Sequence, residues 1–195
     1  LGETPTWGTV LKLNLVNTSY AEVFDDKQIT GVTDLSGAVV PAWDDLINEM
    51  DLTATHGWTF DFTTSKERNL GQATLFGDLL TFTTYVPSSD ICSFEGESNL
   101  YAVYYKTGTA YFKSVIGSTF TDLNGNMVVD AEQGELQIHR NISLGKGLAT
   151  TPNIHVGKQD GSKAFVQTST GAIEIIEQAN PASVKSGVIS WEEME

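Results

Sequence analysis

The chain is written in short runs where apolar and polar residues alternate, and a period of two confines it to β-structure. Residues 10–15 (V-L-K-L-N-L), 58–62 (W-T-F-D-F), 79–85 (L-L-T-F-T-T-Y), 100–105 (L-Y-A-V-Y-Y), 110–115 (A-Y-F-K-S-V), 164–168 (A-F-V-Q-T) and 172–176 (A-I-E-I-I) all read as strands. In each, every second side chain falls on one face, so one face can be buried while the other stays wet. Only residues 42–52 break this rhythm. There Trp43, Leu46, Ile47 and Met50 follow a helical spacing with Asp44, Asp45, Glu49 and Asp51 between them, and Pro41 stands just before as a helix-start residue. The acidic residues are read as the solvated face of that helix rather than as paired catalytic carboxylates.

Laying segments over one another exposes a repeat. The stretch from Asn69 (N-L-G-Q-A-T-L-F-G-D-L-L-T-F-T-T) resembles the stretch from Gly147 that ends at Thr168. Each leads to a second element, N-L-Y-A-V-Y-Y-K-T-G from Asn99 and G-A-I-E-I-I-E-Q-A-N from Gly171, and G-T-V-L-K-L-N-L-V-N from Gly8 is a third copy. Strand, turn, strand, turn, repeated in an all-β chain, is how the four-stranded blades of a β-propeller look. The copies lie farther apart than the roughly 40–50 residues of one blade. Two insertions, residues 25–56 and 117–146, absorb the excess. The expectation is therefore a modified β-propeller of about three four-stranded blades over residues 1–195, with an incomplete ring and one short helix near 42–52. Three blades leave sheet edges open, which predicts a fragment or a partner that completes the ring.

Composition narrows the function classes. At 195 residues, with 40% hydrophobic and 18% charged, the chain is globular rather than disordered. Its charge of −14 with only 11 Lys and Arg argues against a nucleic-acid partner, which needs clustered positive charge. No apolar run reaches the roughly 18 residues of a membrane helix. Leu1 is not an initiator Met, which leaves room for an upstream segment, and the richness in Thr, Ser, Asn and Gly is that of a secreted chain. Cys92 is alone, so it is a free thiol or pairs with another chain.

The most legible chemistry lies in residues 122–130, D-L-N-G-N-M-V-V-D. Asp122, Asn124, Asn126 and Asp130 place oxygens at positions one, three, five and nine, and Val128 offers a backbone carbonyl at position seven. Alternate residues of a curled loop can aim such oxygens at one hard cation, which points to Ca2+. Met127 stands where an EF-hand loop has its turn glycine and Gln133 where it has a bidentate Glu, and an Asn-Gly turn on an acidic surface is the simpler alternative. Elsewhere the chemistry is thin. His56, His139 and His155 lack zinc spacing, no G-x-S-x-G elbow is present, and G-K-G-L (145–148) lacks a phosphate-loop frame. The Tyr101, Tyr104, Tyr105, Tyr111 and Phe112 group is read as packing between strands.

Residues 82–108, F-T-T-Y-V-P-S-S-D-I-C-S-F-E-G-E-S-N-L-Y-A-V-Y-Y-K-T-G, resemble a segment near the C-terminus of the PilY/PilC family of type IV pilus-associated proteins. G-K-G-L-A-T-T-P (145–152), F-V-Q-T-S-T-G-A-I (165–173) and S-G-V-I-S-W (186–191) are similar to further stretches, although Glu192 and Glu193 replace the basic residue that usually follows the last. The resemblance covers residues 57–191 and is vague before them. It implies the C-terminal portion of a propeller domain whose parent carries a further N-terminal region. It also implies an extracellular, pilus-tip or outer-membrane location, and a role in pilus assembly, retraction control and surface attachment without enzymatic activity. The implied partners are pilin or minor pilins and the remainder of the same tip protein, to which Cys92 could be disulfide-linked. A regulatory calcium loop belongs to the same picture, and Asn in place of two Asp predicts weaker binding. Two other readings stand beside it: a complementing subunit or processed fragment of a larger extracellular filament complex, and a fragment of a quinoprotein-type propeller enzyme, which L-Y-A-V-Y-Y-K-T-G partly matches.

Overall fold

A computed structural model describes residues 10–52, 54–88, 95–116, 120–121, 136–156, 162–179 and 181. Fourteen strands and one α-helix follow one another along these residues. They are β1 (Val16–Asn17), β2 (Glu22–Phe24), β3 (Ile29–Thr30), α1 (Trp43–Met50), β4 (Trp58–Thr59), β5 (Arg68–Asn69), β6 (Thr74–Phe76) and β7 (Leu79–Val86), then β8 (Glu97–Tyr104), β9 (Phe120–Thr121), β10 (Gln137–Ile138), β11 (Asn141–Lys146), β12 (Asn153–Val156), β13 (Ser162–Gln167) and β14 (Ile173–Gln178). The mostly-β expectation holds. No described helix is long and apolar enough to cross a membrane.

The best-formed sheet has the order β11-β8-β7-β5, with β6 joined to the same edge of β7 as β5. β5 pairs with Tyr85 and Thr84, while β6 pairs with Thr81, Leu80 and Leu79, so the two short strands together fill one lane. The result is an antiparallel meander in chain order. Its tightest turn is set by Gly77 and Asp78, both at positive φ (55° and 67°), because Phe76 pairs directly with Leu79 across a two-residue loop. That is the mirror-image turn whose twist suits a hairpin. β12-β13-β14 forms a second antiparallel meander. Ala164 and Val166 on β13 and Ile176 on β14 point into one core with Leu79, Leu100 and Ala102. Among the described residues the sheets do not close into a ring.

The other half is assembled differently. The sheet β3-β2-β10-β9 joins Glu22–Phe24 to β10, which comes more than a hundred residues later. Segments 25–56 and 117–146, expected as insertions, thus supply structural strands, since β11 also falls in the second. Helix α1 lies against this sheet. Asp44 and Asp45 in its first turn suit the positive end of the helix dipole, and its Trp43 and Leu46 are buried with Val16, Val23, Ile29 and Ile138. The helix spans residues 43–50, within the expected 42–52.

Two strand expectations fail. Residues 10–15 form a short 3-10 turn over Lys12–Asn14, with strand β1 only from Val16. The Asn14 side chain accepts the Leu11 N–H at 3.2 Å, and Lys12 pairs with Asp61 at 2.9 Å, so local polar bonds win over a ladder. Leu11 and Leu13 consequently remain exposed. Residues 110–115 form no strand. Tyr111 and Phe112 instead turn onto the Trp43 ring, 5.4 and 5.2 Å away, and aromatic burial outweighs pairing there.

Candidate functional site

The cation ligands expected from the sequence, Asp122, Asn124, Asn126, Val128 and Asp130, lie outside the described residues, as does Cys92. What the structure describes is the frame around that loop. Thr121 pairs with Gln137 and Phe120 with Ile138 in an antiparallel ladder, so the loop joins two adjacent strands. β10 pairs in turn with β2, and Ile138 is buried in the α1 core.

Immediately after β10 comes a polar cleft of about 310 Å³ between the turn at Ser19–Glu22 and residues 137–141, with Thr63 on its far wall. Its floor is fixed by Arg140, one of only two arginines in the chain. The Arg140 guanidinium donates to the carbonyls of Thr18 (2.9 Å) and Ser19 (2.6 Å) and lies over the Phe60 ring at 4.6 Å. Its backbone carbonyl accepts from Ala102 N–H at 2.8 Å, which ties the cleft to β8. Burial draws the guanidinium pKa down, but arginine keeps its proton throughout. The turn is reinforced locally. Asn17 Oδ1 accepts from Ser19 N–H and Oγ–H, and Ser19 Oγ accepts from Asp61 N–H at 2.8 Å. Arg140 thus directs two of its five N–H donors, and Ser19 its hydroxyl proton, at the scaffold.

Behind Phe60 sits a buried acid. Glu67 Oε1 accepts from Thr84 Oγ, Asn99 Nδ2 (3.1 Å) and Tyr101 OH (3.0 Å). Its Oε2 is buried with no hydrogen-bond partner. Tyr101 stacks on Phe82 at 5.2 Å, almost parallel, and its phenol pKa is pushed well above the usual value, first by burial and then by the Glu67 carboxylate. This cluster binds the 60–67 segment to the central sheet. Aromatic rings pack around it, and its hydrogen bonds act as a structural lock. The sequence reading missed Arg140 and Glu67. The scarcity of arginine, and its place in the alternating I-H-R-N-I run, was the available signal.

The remaining candidates resolve as packing or solvated surface. On α1, Asp44 pairs with Lys27 at 2.8 Å and Glu49 accepts from Thr55, and just past its end Asp51 pairs with Lys106 at 3.7 Å. Tyr104 and Tyr111 pack around Trp43, as the packing reading expects. The histidines are dispersed: His155 stands edge-on to Phe165 at 5.3 Å, and His139 lies half-buried near Glu22. Burial lowers the His139 pKa and Glu22 opposes this only in part, so the imidazole is neutral at pH 7. Among the described residues no three His, Cys, Asp or Glu are grouped to hold a metal. The chain matches no family model, no curated protein and no solved structure.

Proposed function

We propose that the chain is a non-enzymatic, extracellular β-rich module of a type IV pilus tip protein, acting in assembly, retraction control and attachment. Within it, a calcium loop at Asp122, Asn124, Asn126, Val128 and Asp130 steadies the β9–β10 hairpin. The reading rests on the resemblance of residues 82–108, and one observation carries it. The strand, loop, strand and T-G turn that the resemblance implies correspond to β7, its connection to β8, and the turn at Thr107–Gly108. On this reading the sheets are blades of an incomplete propeller, of which the β11-β8-β7-β5 meander supplies the four-lane pattern. The calcium would act mechanically. Because β10 carries Ile138 into the core and is followed closely by Arg140, calcium held between β9 and β10 would tighten the cleft as well.

The test has two parts. Recovery of the native polypeptide without reducing agent, followed by intact mass, should give a larger chain or a Cys92-linked companion together with pilin-type subunits. A free, unaccompanied species would overturn the tip-protein reading. Separately, saturating calcium should raise the unfolding free energy by about 1–3 kcal/mol through linkage. Asp122→Ala with Asp130→Ala should abolish that gain, and an unchanged calcium response in the double variant would sink the ligand set.

A second reading, a complementing subunit, is favoured by β14. Ala179 N–H donates to Val115 O and Gln178 bridges Ile116, so a neighbouring lane begins beside this strand. Ile173 and Ile175 are 65% and 59% exposed farther along it. A partner strand added at this edge would set its own side chains beside them on the same face. Solution mass distinguishes the two: a complementing subunit purified alone should self-associate.

A further inference from the structure

The cleft between the Ser19–Glu22 turn and residues 137–141 contains two kinds of polar group. The Arg140 guanidinium is engaged by the backbone carbonyls of Thr18 and Ser19, and the Ser19 hydroxyl by Asn17 Oδ1, as described above. Tyr20 OH, Thr63 Oγ, and the side-chain amides of Gln137 and Asn141 have no hydrogen-bond partner among the described residues. Every one of these four is neutral, and every one can both donate and accept. Tyr20 is 72% exposed, and its ring stacks on no other ring among the described residues, leaving an aromatic face bare beside the amides.

The charge pattern narrows what fits. Arg140 is the cation lining the cleft, and both of its terminal nitrogens are engaged by carbonyls. Glu22 stands on the rim, the neighbouring His139 is neutral at pH 7, and the chain carries −14 overall. An anion would meet Glu22 and the net negative charge of the chain, while the Arg140 fork is already turned toward the Thr18 and Ser19 carbonyls. An apolar ligand would strand the amides and hydroxyls without water. A lone cation finds a single carboxylate where it needs several oxygen ligands. What remains is a neutral molecule dense in hydroxyls with one less polar face. At about 310 Å³ the cleft lies at the small end of ligand sites.

We infer that this cleft is a saccharide subsite, in which Tyr20 stacks on the C–H face of a neutral hexopyranose. Gln137, Asn141, Thr63 and Glu22 engage the ring hydroxyls. Glu22 serves as an acceptor only, and its Oε2 is already approached by Thr30 Oγ at 3.2 Å, which holds the carboxylate in place. Stacking on one residue with a few solvent-shared hydrogen bonds gives an affinity on the order of millimolar, so biological binding would depend on repeated display.

The test is saturation-transfer NMR of the full chain. The probes are the methyl glycosides of glucose, galactose, mannose and N-acetylglucosamine, with N-acetylneuraminic acid and sulfate as anionic probes. One neutral glycoside should bind saturably. Tyr20→Ala should weaken it roughly threefold to tenfold, the range expected for one lost aromatic contact. Asn141→Ala should weaken it as well, and neither variant should shift the melting temperature, because neither side chain is buried or bonded within the fold. Tyr20→Phe should retain most of the binding, since the stacking face survives. The inference is overturned if no neutral glycoside saturates, if Tyr20→Ala leaves binding unchanged, or if an anionic probe binds in preference.

Discussion

The central meander and the β2–β10 half are built from the same residue types but by opposite strategies. In the meander, strands of eight residues, Leu79–Val86 and Glu97–Tyr104, pair along their full length with their nearest neighbours in sequence. In the other half the strands are two or three residues long, and Glu22–Phe24 waits for Gln137–Ile138 to complete its sheet. The first region is held by its ladder. The second has too few ladder bonds to hold itself, so side chains must do it: Trp43, Leu46 and Arg140. A region of this second kind should depend steeply on single residues and should form late in folding, because its contacts close long loops.

The largest expected effect follows from that dependence. Trp43 is 5% exposed, touches Tyr104, Tyr111 and Phe112, and donates its indole N–H to Ala110 O at 3.2 Å. Trp43→Ala should destabilise by about 3–5 kcal/mol. Hydrogen exchange should show the loss concentrated in β2, β3 and β10, with β7 and β8 retaining protection. Uniform loss across both regions would mean that they unfold as one unit and that the contrast is only geometric.

Arg140→Met keeps the apolar stem but removes the guanidinium that lies over Phe60 and donates to the turn, leaving Ser19 O without that donor and Thr18 O with only the Ala21 N–H. About 2–4 kcal/mol should be lost by urea titration. Arg140→Lys should restore little of it, since one ammonium cannot reproduce the two-pronged contact. Full rescue by Lys would show that the charge, not the fork, holds the turn.

Gly108 tests the seam between the regions. Its φ is +67°, and a Cβ there would sit 2.2 Å from the Trp58 ring. Trp58 is itself fixed by its indole N–H to Tyr105 O at 2.8 Å. Gly108→Ala should cost about 1–3 kcal/mol from backbone conformation alone, with ring displacement adding to it. Indole fluorescence should shift in the folded state, and an unshifted spectrum with full stability would refute the contact.

How much of this was legible beforehand divides along the same line. The long strands and the helix were readable because their side chains follow a local period: Leu100 and Ala102 enter one core while Tyr101 and Val103 between and beyond them enter another, so both faces are covered, and Trp43 and Leu46 share a helix face. The β2–β10 pairing was not readable. A strand of two residues carries no period, and nothing near Val23 in sequence names Ile138 as its neighbour. The failures at 10–15 and 110–115 have the same origin. Alternation there was real, but a side-chain cap on Leu11 and the attraction of Trp43 for Tyr111 and Phe112 are tertiary and local polar effects that a period cannot encode. The cleft was invisible for a related reason. Its walls come from residues 19–22, 63 and 137–141, and only the long-range sheet brings them together.

The smallest expected effect is also the most specific to the composite half. His139 follows β10 directly, and burial holds its folded pKa below the unfolded value of about 6.5, with Glu22 the nearby charge that opposes the shift. The unfolded chain therefore takes up the proton first as pH falls. The stabilisation from His139 is fully present above pH about 6.5 and is lost progressively below it. Because the ring is only half-buried, the change should be modest. The urea midpoint should fall between pH of about 7.5 and 5.5, and His139→Gln should remove part of that fall while leaving the carboxylate contribution. Glu22→Gln should enlarge the effect, since it deletes the group that favours the protonated ring. If the pH dependence of His139→Gln overlays that of the parent chain, the β10 end is more open to water than its packing against the Ser19–Glu22 turn requires, and the rigidity ascribed to the cleft would fall with it.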